Sequence, residues 1–144
     1  MEKFFKFTVL GAAKAKQSVK FTKTGMRYTP KDVVTYANWV RNSFIMAYPE
    51  HKADVLNGYY LDVEIKAFFR VPESFSKKKK EQALNGYLRP DKKPDWDNIS
   101  KNICDALNGI VYADDKAIVD GEVHKLYAEV DYVNVVIKGF KYEN

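Results

Sequence analysis

The opening residues alternate. Phe5, Phe7 and Val9 point one way and Phe4, Lys6 and Thr8 the other, which predicts a strand over 3–10 that Gly11 ends. Residues 11–29 are small, basic and polar, with Gly25 as a turn, and read as a loop or loose hairpin. The period then changes. Thr29 and Pro30 look like an N-cap followed by proline at the first helical position, and Val33, Tyr36, Ala37, Val40 and Phe44 recur at helical spacing, so a helix is expected over 30–47. Residues 59–70 give the clearest strand: Leu61, Val63, Ile65, Ala67 and Phe69 share one side, and Asp62, Glu64 and Lys66 the other. Ser76 caps a short helix over the run KKKKEQALNG, which Asn85 and Gly86 terminate. Residues 87–94 form a basic, proline-containing loop, and a further helix over 97–108 is closed by Asn108 and Gly109. Residues 117–127 and 132–140 read as two strands, expected to form a hairpin turning near 129–131. No repeat or linker interrupts the pattern, so residues 1–144 are expected to form one α+β domain.

Composition narrows the class. With 46% hydrophobic and 30% charged residues the chain fits a globular protein, and no apolar run approaches the ~20 residues that span a bilayer, so no membrane partner is expected. The N-terminal stretch reads as a strand, not a signal peptide, because Glu2 and Lys6 break its apolar run. A single cysteine, Cys104, excludes an internal disulfide and any multi-cysteine metal site, which points to the cytoplasm; it lies in an apolar helical pattern and reads as a small buried hydrophobe. His51 and His124 are too isolated in sequence to form a pair of ligands.

The formal charge of +5 is unevenly spread. Residues 1–94 hold 19 Lys and Arg against 9 Asp and Glu, whereas residues 95–144 hold 5 against 10. From Lys3 to Lys31, both included, stand eight basic residues and no acid. This distribution suits two partners, a phosphate backbone and a cation. Lys14, Lys16, Lys20, Lys23 and Arg27, interleaved with Phe21 and Tyr28, resemble a loop that tracks a nucleic-acid backbone. The lysine run at 77–80 reads instead as a solvated helix face.

The chemical information is concentrated in residues 91–125, DKKPDWDNISKNICDALNGIVYADDKAIVDGEVHK. Asp95 and Asp97 bracket a helix start, Asp97, Lys101 and Asp105 recur at i, i+4 and i+8, and Ile99, Ile103, Ala106 and Leu107 supply an apolar face. The pair Asp114 and Asp115 follows in a turn entering the next strand, which is normally adjacent to the preceding helix, so Asp115 is expected to approach Asp95 and Asp97. Crowded carboxylates repel one another unless a cation is bound. A hard divalent ion such as Mg²⁺ suits an all-oxygen site that also borrows phosphate oxygens, and it activates water for phosphodiester hydrolysis. Lys101 would then steady the attacking water or the developing charge.

Each residue also has a plain structural role. Asp97 fits a helix N-cap, Asp95 after Pro94 fits turn chemistry, Asp114 and Asp115 fit a solvated turn, and Lys101 with Asp105 fits an exposed ion pair worth about 0.3–0.5 kcal/mol. Spacing alone leaves both readings open.

The run Pro94-Asp95-Trp96-Asp97-Asn98-Ile99-Ser100-Lys101, then Asp105-Ala106-Leu107-Asn108-Gly109, then Asp114-Asp115, Ile118 and Lys125, resembles the pattern of RusA-type Holliday junction resolvases. That pattern is approximately P-D-x-D-N-x-x-K, D-A-L-N-G, D-D-x-x-[VI], K. The resemblance implies a mixed β-sheet packed with helices, a homodimer, and Mg²⁺-dependent paired cleavage of four-way DNA junctions in recombination and repair, a chemistry common on phage and prophage. It implies that Asp95, Asp97 and Asp115 bind Mg²⁺, that Lys101 is needed for cleavage, and that Asp105, Asp114 and Lys125 support the site. The chain departs from the pattern in its N-terminal loop, where Lys14-Ala15-Lys16-Gln17-Ser18 replaces a K-x-R-P-R-like run, and at Ala117, where a polar residue is usual. A non-catalytic DNA-binding protein and a nuclease for other branched DNA are the alternatives; the first has no use for clustered acids beside phosphates. A Mg²⁺-dependent nucleotide hydrolase would need a glycine-rich phosphate loop, which the chain lacks.

Overall fold

The computed structural model describes residues 2–14, 20–21, 27–28 and 31–141, with backbone alone at 20–21, 27–28 and 31–34. In chain order these residues form β1 (Lys3–Leu10), the two-residue strands β2 (Lys20–Phe21) and β3 (Arg27–Tyr28), α1 (Lys31–Ala47), β4 (Tyr60–Arg70), α2 (Lys77–Leu84), α3 (Trp96–Ala106), β5 (Ile118–Ala128) and β6 (Tyr132–Phe140). Single 3₁₀ turns at Ala53–Leu56 and Asp115–Ala117 precede β4 and β5. Lys16, Lys23 and the expected helix start at Thr29 and Pro30 lie outside the described residues.

The four long strands make one mixed sheet in the order β1-β6-β4-β5. β1 and β4 both run antiparallel to β6, while β4 and β5 run parallel. Parallel neighbours need a long crossover, and the segment carrying α2 and α3 supplies it. The alternation read in the sequence holds: Phe5, Phe7, Val9, Leu61, Val63, Ile65, Ala67, Phe69, Val133, Val135 and Ile137 are buried on one face. Against that face lie α1, through Tyr36, Val40 and Phe44, and α3, through Ile99, Ile103, Ala106 and Leu107. The α-helix end signals also hold. The Ser76 hydroxyl accepts from the Lys79 amide at 3.2 Å, and Gly86 and Gly109 take the positive φ that L side chains avoid.

The expected hairpin of the last two strands does not form. β5 and β6 are joined by a tight turn, yet β4 lies between them. The three residues 129–131 step across two strand spacings, about 10 Å, over the end of β4. There the Asp131 carboxylate accepts from the Arg70 amide at 2.8 Å and the Ala128 carbonyl accepts from the Val71 amide at 2.9 Å. The physical reason is the greater burial gained by pairing β4 on both edges. β4 is the strand with the longest apolar alternation, whereas β5, with Asp120, Glu122 and His124, is suited to a charged edge. The opposite sheet face carries Lys6, Thr8, Asp62, Glu64, Lys66, Phe68, Tyr132 and Lys138, with Phe68 stacked on Tyr132 at 4.4 Å between ring centroids.

Asn102 joins the N-terminal strand region to α3: buried in the helix, it donates from Nδ2 to the Lys14 carbonyl at 2.6 Å. His51, placed by its contact with the Val111 carbonyl at 2.8 Å, packs edge-on to Phe5 and Phe44 and is structural. Cys104 is free and buried, and burial pushes its thiol up to about 11, so it is inert as a nucleophile at neutral pH. No helix among the described residues is long and apolar enough to cross a membrane.

Because α3 is seated by fully buried Ile99, Ile103 and Leu107, Ile103→Ala is expected to lower unfolding stability by about 2–5 kcal/mol. Val119→Ala, at a 53% exposed position of β5, should stay within about 0.5 kcal/mol of the parent. Urea unfolding midpoints read both; equal effects would contradict the assigned packing of α3.

Candidate active site

The turn that follows α3 builds the site. Leu107 closes the helix, Gly109 at φ +77° reverses the chain, and its amide donates to the Tyr112 carbonyl at 2.7 Å. The Tyr112 hydroxyl, buried beneath, donates to the Cys104 carbonyl at 2.7 Å, tying the turn back to the last turn of α3. The Asn108 side chain then accepts from the Asp115 amide at 2.8 Å, and the Asp114 carboxylate accepts from the Lys116 amide at 2.9 Å. Asn108 and Gly109 therefore do more than end a helix: they fix where Asp115 stands.

Asp115 meets the end of α3. Its carboxyl is crowded by those of Asp105 and Asp114. The hydrogen bond with Asp105, with desolvation and the Asp114 charge behind it, pushes Asp115 from 3.8 up to about 6. Lys101, Ser100, Cys104, Asp105 and Asp115 share a cleft of about 290 Å³ with Trp96 and Glu122. Its sheet-side floor is Val63, Ile65 and Gly121, where a glycine leaves room that a side chain would narrow.

Asp95 and Asp97 stand next door. Asp95 is the residue before the first helical turn, its carbonyl accepting from the Ile99 amide at 3.0 Å, while its side chain makes no capping hydrogen bond. Neither does Asp97 occupy the cap position, being inside the first turn. Both line a second cleft of about 520 Å³ with Asp91, Lys92, Lys93, Trp96 and Lys125. The Lys125 ammonium donates to the Lys92 carbonyl, and the Lys125 carbonyl accepts from Arg89 Nε at 2.7 Å, so β5 holds the basic loop in place.

The helical spacing explains the split. Four residues advance an α-helix about 400°, so i, i+4 and i+8 drift roughly 40° per step around the axis. Lys101 and Asp105 face the Asp115 cleft, and Asp97, one step earlier, has rotated toward Lys125. Trp96 borders both clefts. The carboxylate brought to the Asp115 cleft is thus Asp105, while Asp95 and Asp97 line the adjoining cleft, and among the described residues Asp95, Asp97 and Asp115 do not gather into one ligand group. Of the basic loop residues, Lys14 is exposed, and Lys20 and Arg27 lie on the backbone of the β2–β3 pair.

Sequence reasoning passes over Trp96 and Glu122. Glu122 is hidden by a register shift between Leu61 and Asp62 on β4, across from Val119. That irregularity inverts the facing of the strand's start, so Ile118 joins Gly121 and Val123 on the helix side. On the opposite side Glu122 meets Glu64 and His124. Among the described residues these three form a group whose potential ligand atoms lie within 4.8 Å of one another. His124 Nε2 is 3.0 Å from the Glu122 carboxylate, and the Lys66 ammonium is 3.9 Å from Glu64, so each acid already has a nitrogen partner.

Comparison with known proteins decides the family. The model of the endodeoxyribonuclease RusA family matches residues 11–138, which takes in both clefts. The chain belongs to the RusA endodeoxyribonuclease family. It is also 34% identical over 139 residues to YqaN, an uncharacterized protein of Bacillus subtilis (strain 168), covering 92% of this chain and 94% of that one. Membership supports nuclease activity on DNA, and the clefts are where this RusA-family chain gathers its carboxylates and lysines.

The crowding around Asp115 has a measurable consequence. A carboxyl with a folded pKa above its unfolded value holds its proton more tightly when folded. Its contribution to stability is full below about 3.8 and lost as pH rises through about 6. In metal-free buffer with EDTA, Asp105→Asn is therefore expected to lose less stability than the parent between those pH values. Thermal melts across the range test this, and parallel curves for the two proteins would contradict it.

Proposed function

We propose that this RusA-family chain is a Mg²⁺-dependent endonuclease that resolves four-way DNA junctions by paired phosphodiester cleavage in recombination and repair. The observation that carries the reading is the Asp105–Asp115 carboxyl pair beside Lys101, in a cleft within a chain of an endodeoxyribonuclease family. Carboxyls crowded together are a poor arrangement for an empty surface and a good one for a hard cation. The donors are all carboxylate oxygens, which fits Mg²⁺ rather than a softer metal. Asp115 would hold the ion, with Asp95 and Asp97 as the resemblance implies and Asp105 alongside.

Such an ion supplies an acidified water and neutralises charge on the phosphodiester. The chain's own groups do the rest. Lys101, one turn before Asp105, presents its ammonium to the same cleft and stabilises negative charge developing on the phosphate. Lys92, Lys93 and Lys125 line the flanking cleft and bind the neighbouring phosphates of the strand, orienting it toward Asp115. Asp114 holds the start of β5 by accepting from Lys116 and keeps its neighbour in register. Lys14, Lys16, Lys20, Lys23 and Arg27 extend the phosphate contacts along a duplex arm.

A four-way junction presents two equivalent strands, and one chain carries one such cleft, so the working form is a twofold-symmetric homodimer. Paired cuts then occur before the junction escapes. The protein acts in the cytoplasm.

The test is a supercoiled plasmid that extrudes a cruciform, incubated with Mg²⁺. The wild type should release linear DNA, Asp115→Asn should bind the junction but leave the plasmid intact, and Lys101→Ala should lose at least about 100-fold in rate with little loss of binding. Accumulation of singly nicked circles would contradict the dimeric resolvase. Cleavage by Asp115→Asn at the wild-type rate would overturn the site.

A further inference from the structure

Trp96 is 66% exposed, although an indole is among the side chains that gain most from burial. It is the first residue of α3, fixed between Asp95 and Asp97 at a helix start, and it borders both the Asp115 cleft and the Lys125 cleft. The clefts it borders are lined by carboxylates and lysines and, beneath them, by the apolar Val63, Ile65, Ile118 and Val123, and among the described residues no protein ring packs on it. The core does not need this ring, and neither cleft encloses it. Its place between the two clefts gives it a role there.

We propose that Trp96 is a stacking platform for a nucleobase of the strand being cut, one turned out of its stack beside the scissile phosphate. This deepens the reading of the clefts as a DNA-cleaving site and rests on it. The chemistry of the occupant follows from the surroundings. Lysines on the flank take phosphates, carboxylates where α3 meets the start of β5 take a cation, and the indole offers what neither does, a flat π surface. The uncharged, π-faced part of a nucleic acid is its base. A base can reach Trp96 only by leaving its neighbours, which costs least where pairing is already interrupted, as at a branch point. Trp96 thus becomes a positioning residue that favours branched over continuous duplex, a preference the carboxylates alone do not confer.

The experiment uses the full-length protein in EDTA with a synthetic four-way junction carrying 2-aminopurine at a branch-point position or, as control, in mid-arm. Stacking on the indole should change the emission of the branch-point probe and leave the mid-arm probe unmoved. Trp96→Ala should abolish that change, bind the junction roughly 5- to 150-fold more weakly, and cut it correspondingly more slowly once Mg²⁺ is added. Trp96→Phe should restore most of the signal and the rate, which a merely structural role for the indole would not produce. The protein has two tryptophans, so in a Trp39→Phe background, excited at the red edge where tyrosine does not absorb, the emission is that of Trp96 and should be quenched by the junction. Because Trp96 is exposed, the alanine variant should melt at the parent temperature, and a fold defect would show there and in the phenylalanine variant alike. If Trp96→Ala binds, cuts and perturbs the probe as the wild type does, the platform is wrong while the nuclease reading stands. If the wild type neither binds nor cuts the junction, both fall together.

Discussion

Parallel pairing of β4 with β5 is the constraint on which the remaining features depend. It forces a long crossover, and that crossover delivers α3 onto the sheet with its C-terminal end beside the entry to β5. Once the helix is seated by Ile99, Ile103 and Leu107, the turn at 108–109 has one course, back across Tyr112 to the start of the strand. Asp115 then meets Asp105 because a helix end and a strand start have been brought together, and that crowding raises the Asp115 carboxyl. The energetic cost of that meeting is local, confined to a partly exposed cleft, and it is tolerated on a scaffold whose core is otherwise apolar.

The same topology explains why charge is sorted as it is. β5 is a sheet edge, and its polar residues serve both sides of it. Lys125, on the helix side, joins the basic loop that carries Lys92 and Lys93. Glu122 and His124, on the open side, meet Glu64 and Lys66 of the neighbouring strand. Like charges directly across a strand pair are unfavourable, and here Lys66 and His124 stand beside them. The two acidic groupings on this edge therefore differ in kind. In one, Lys66 and His124 stand beside the acids, and in the other the crowding raises the Asp115 carboxyl.

Much of this was legible in the residues. Period-two alternation in 3–10, 59–70 and 132–140 and the helical spacing of Tyr36, Val40 and Phe44 gave the elements, because each has one apolar face to bury. The order of strands was not legible. The sequence of β5 and β6 shows a tight turn but not which edges pair, and the turn's ability to step over β4 depends on hydrogen bonds from Asp131 and Ala128 that only the folded sheet supplies. At the site, the motif named the acids, whereas their grouping needed geometry. A repeat of four on a helix of 3.6 residues per turn drifts, and the drift is what separates Asp97 from Asp105. Glu122 and Trp96 were missed for different reasons: the first by a register shift at the start of β5, the second because an aromatic between two acids carries no signal until its exposure is known.

In the function proposed above, the carboxylates at the end of α3 and the start of β5 hold a divalent cation. Anomalous diffraction from crystals of the protein soaked in Mn²⁺, which can replace Mg²⁺ at oxygen sites, tests it directly. A peak is expected in the cleft bounded by Lys101, Asp105 and Asp115, lost in Asp115→Asn. A peak confined to Glu64, Glu122 and His124 on the open face, or none at all at saturating Mn²⁺, would contradict it.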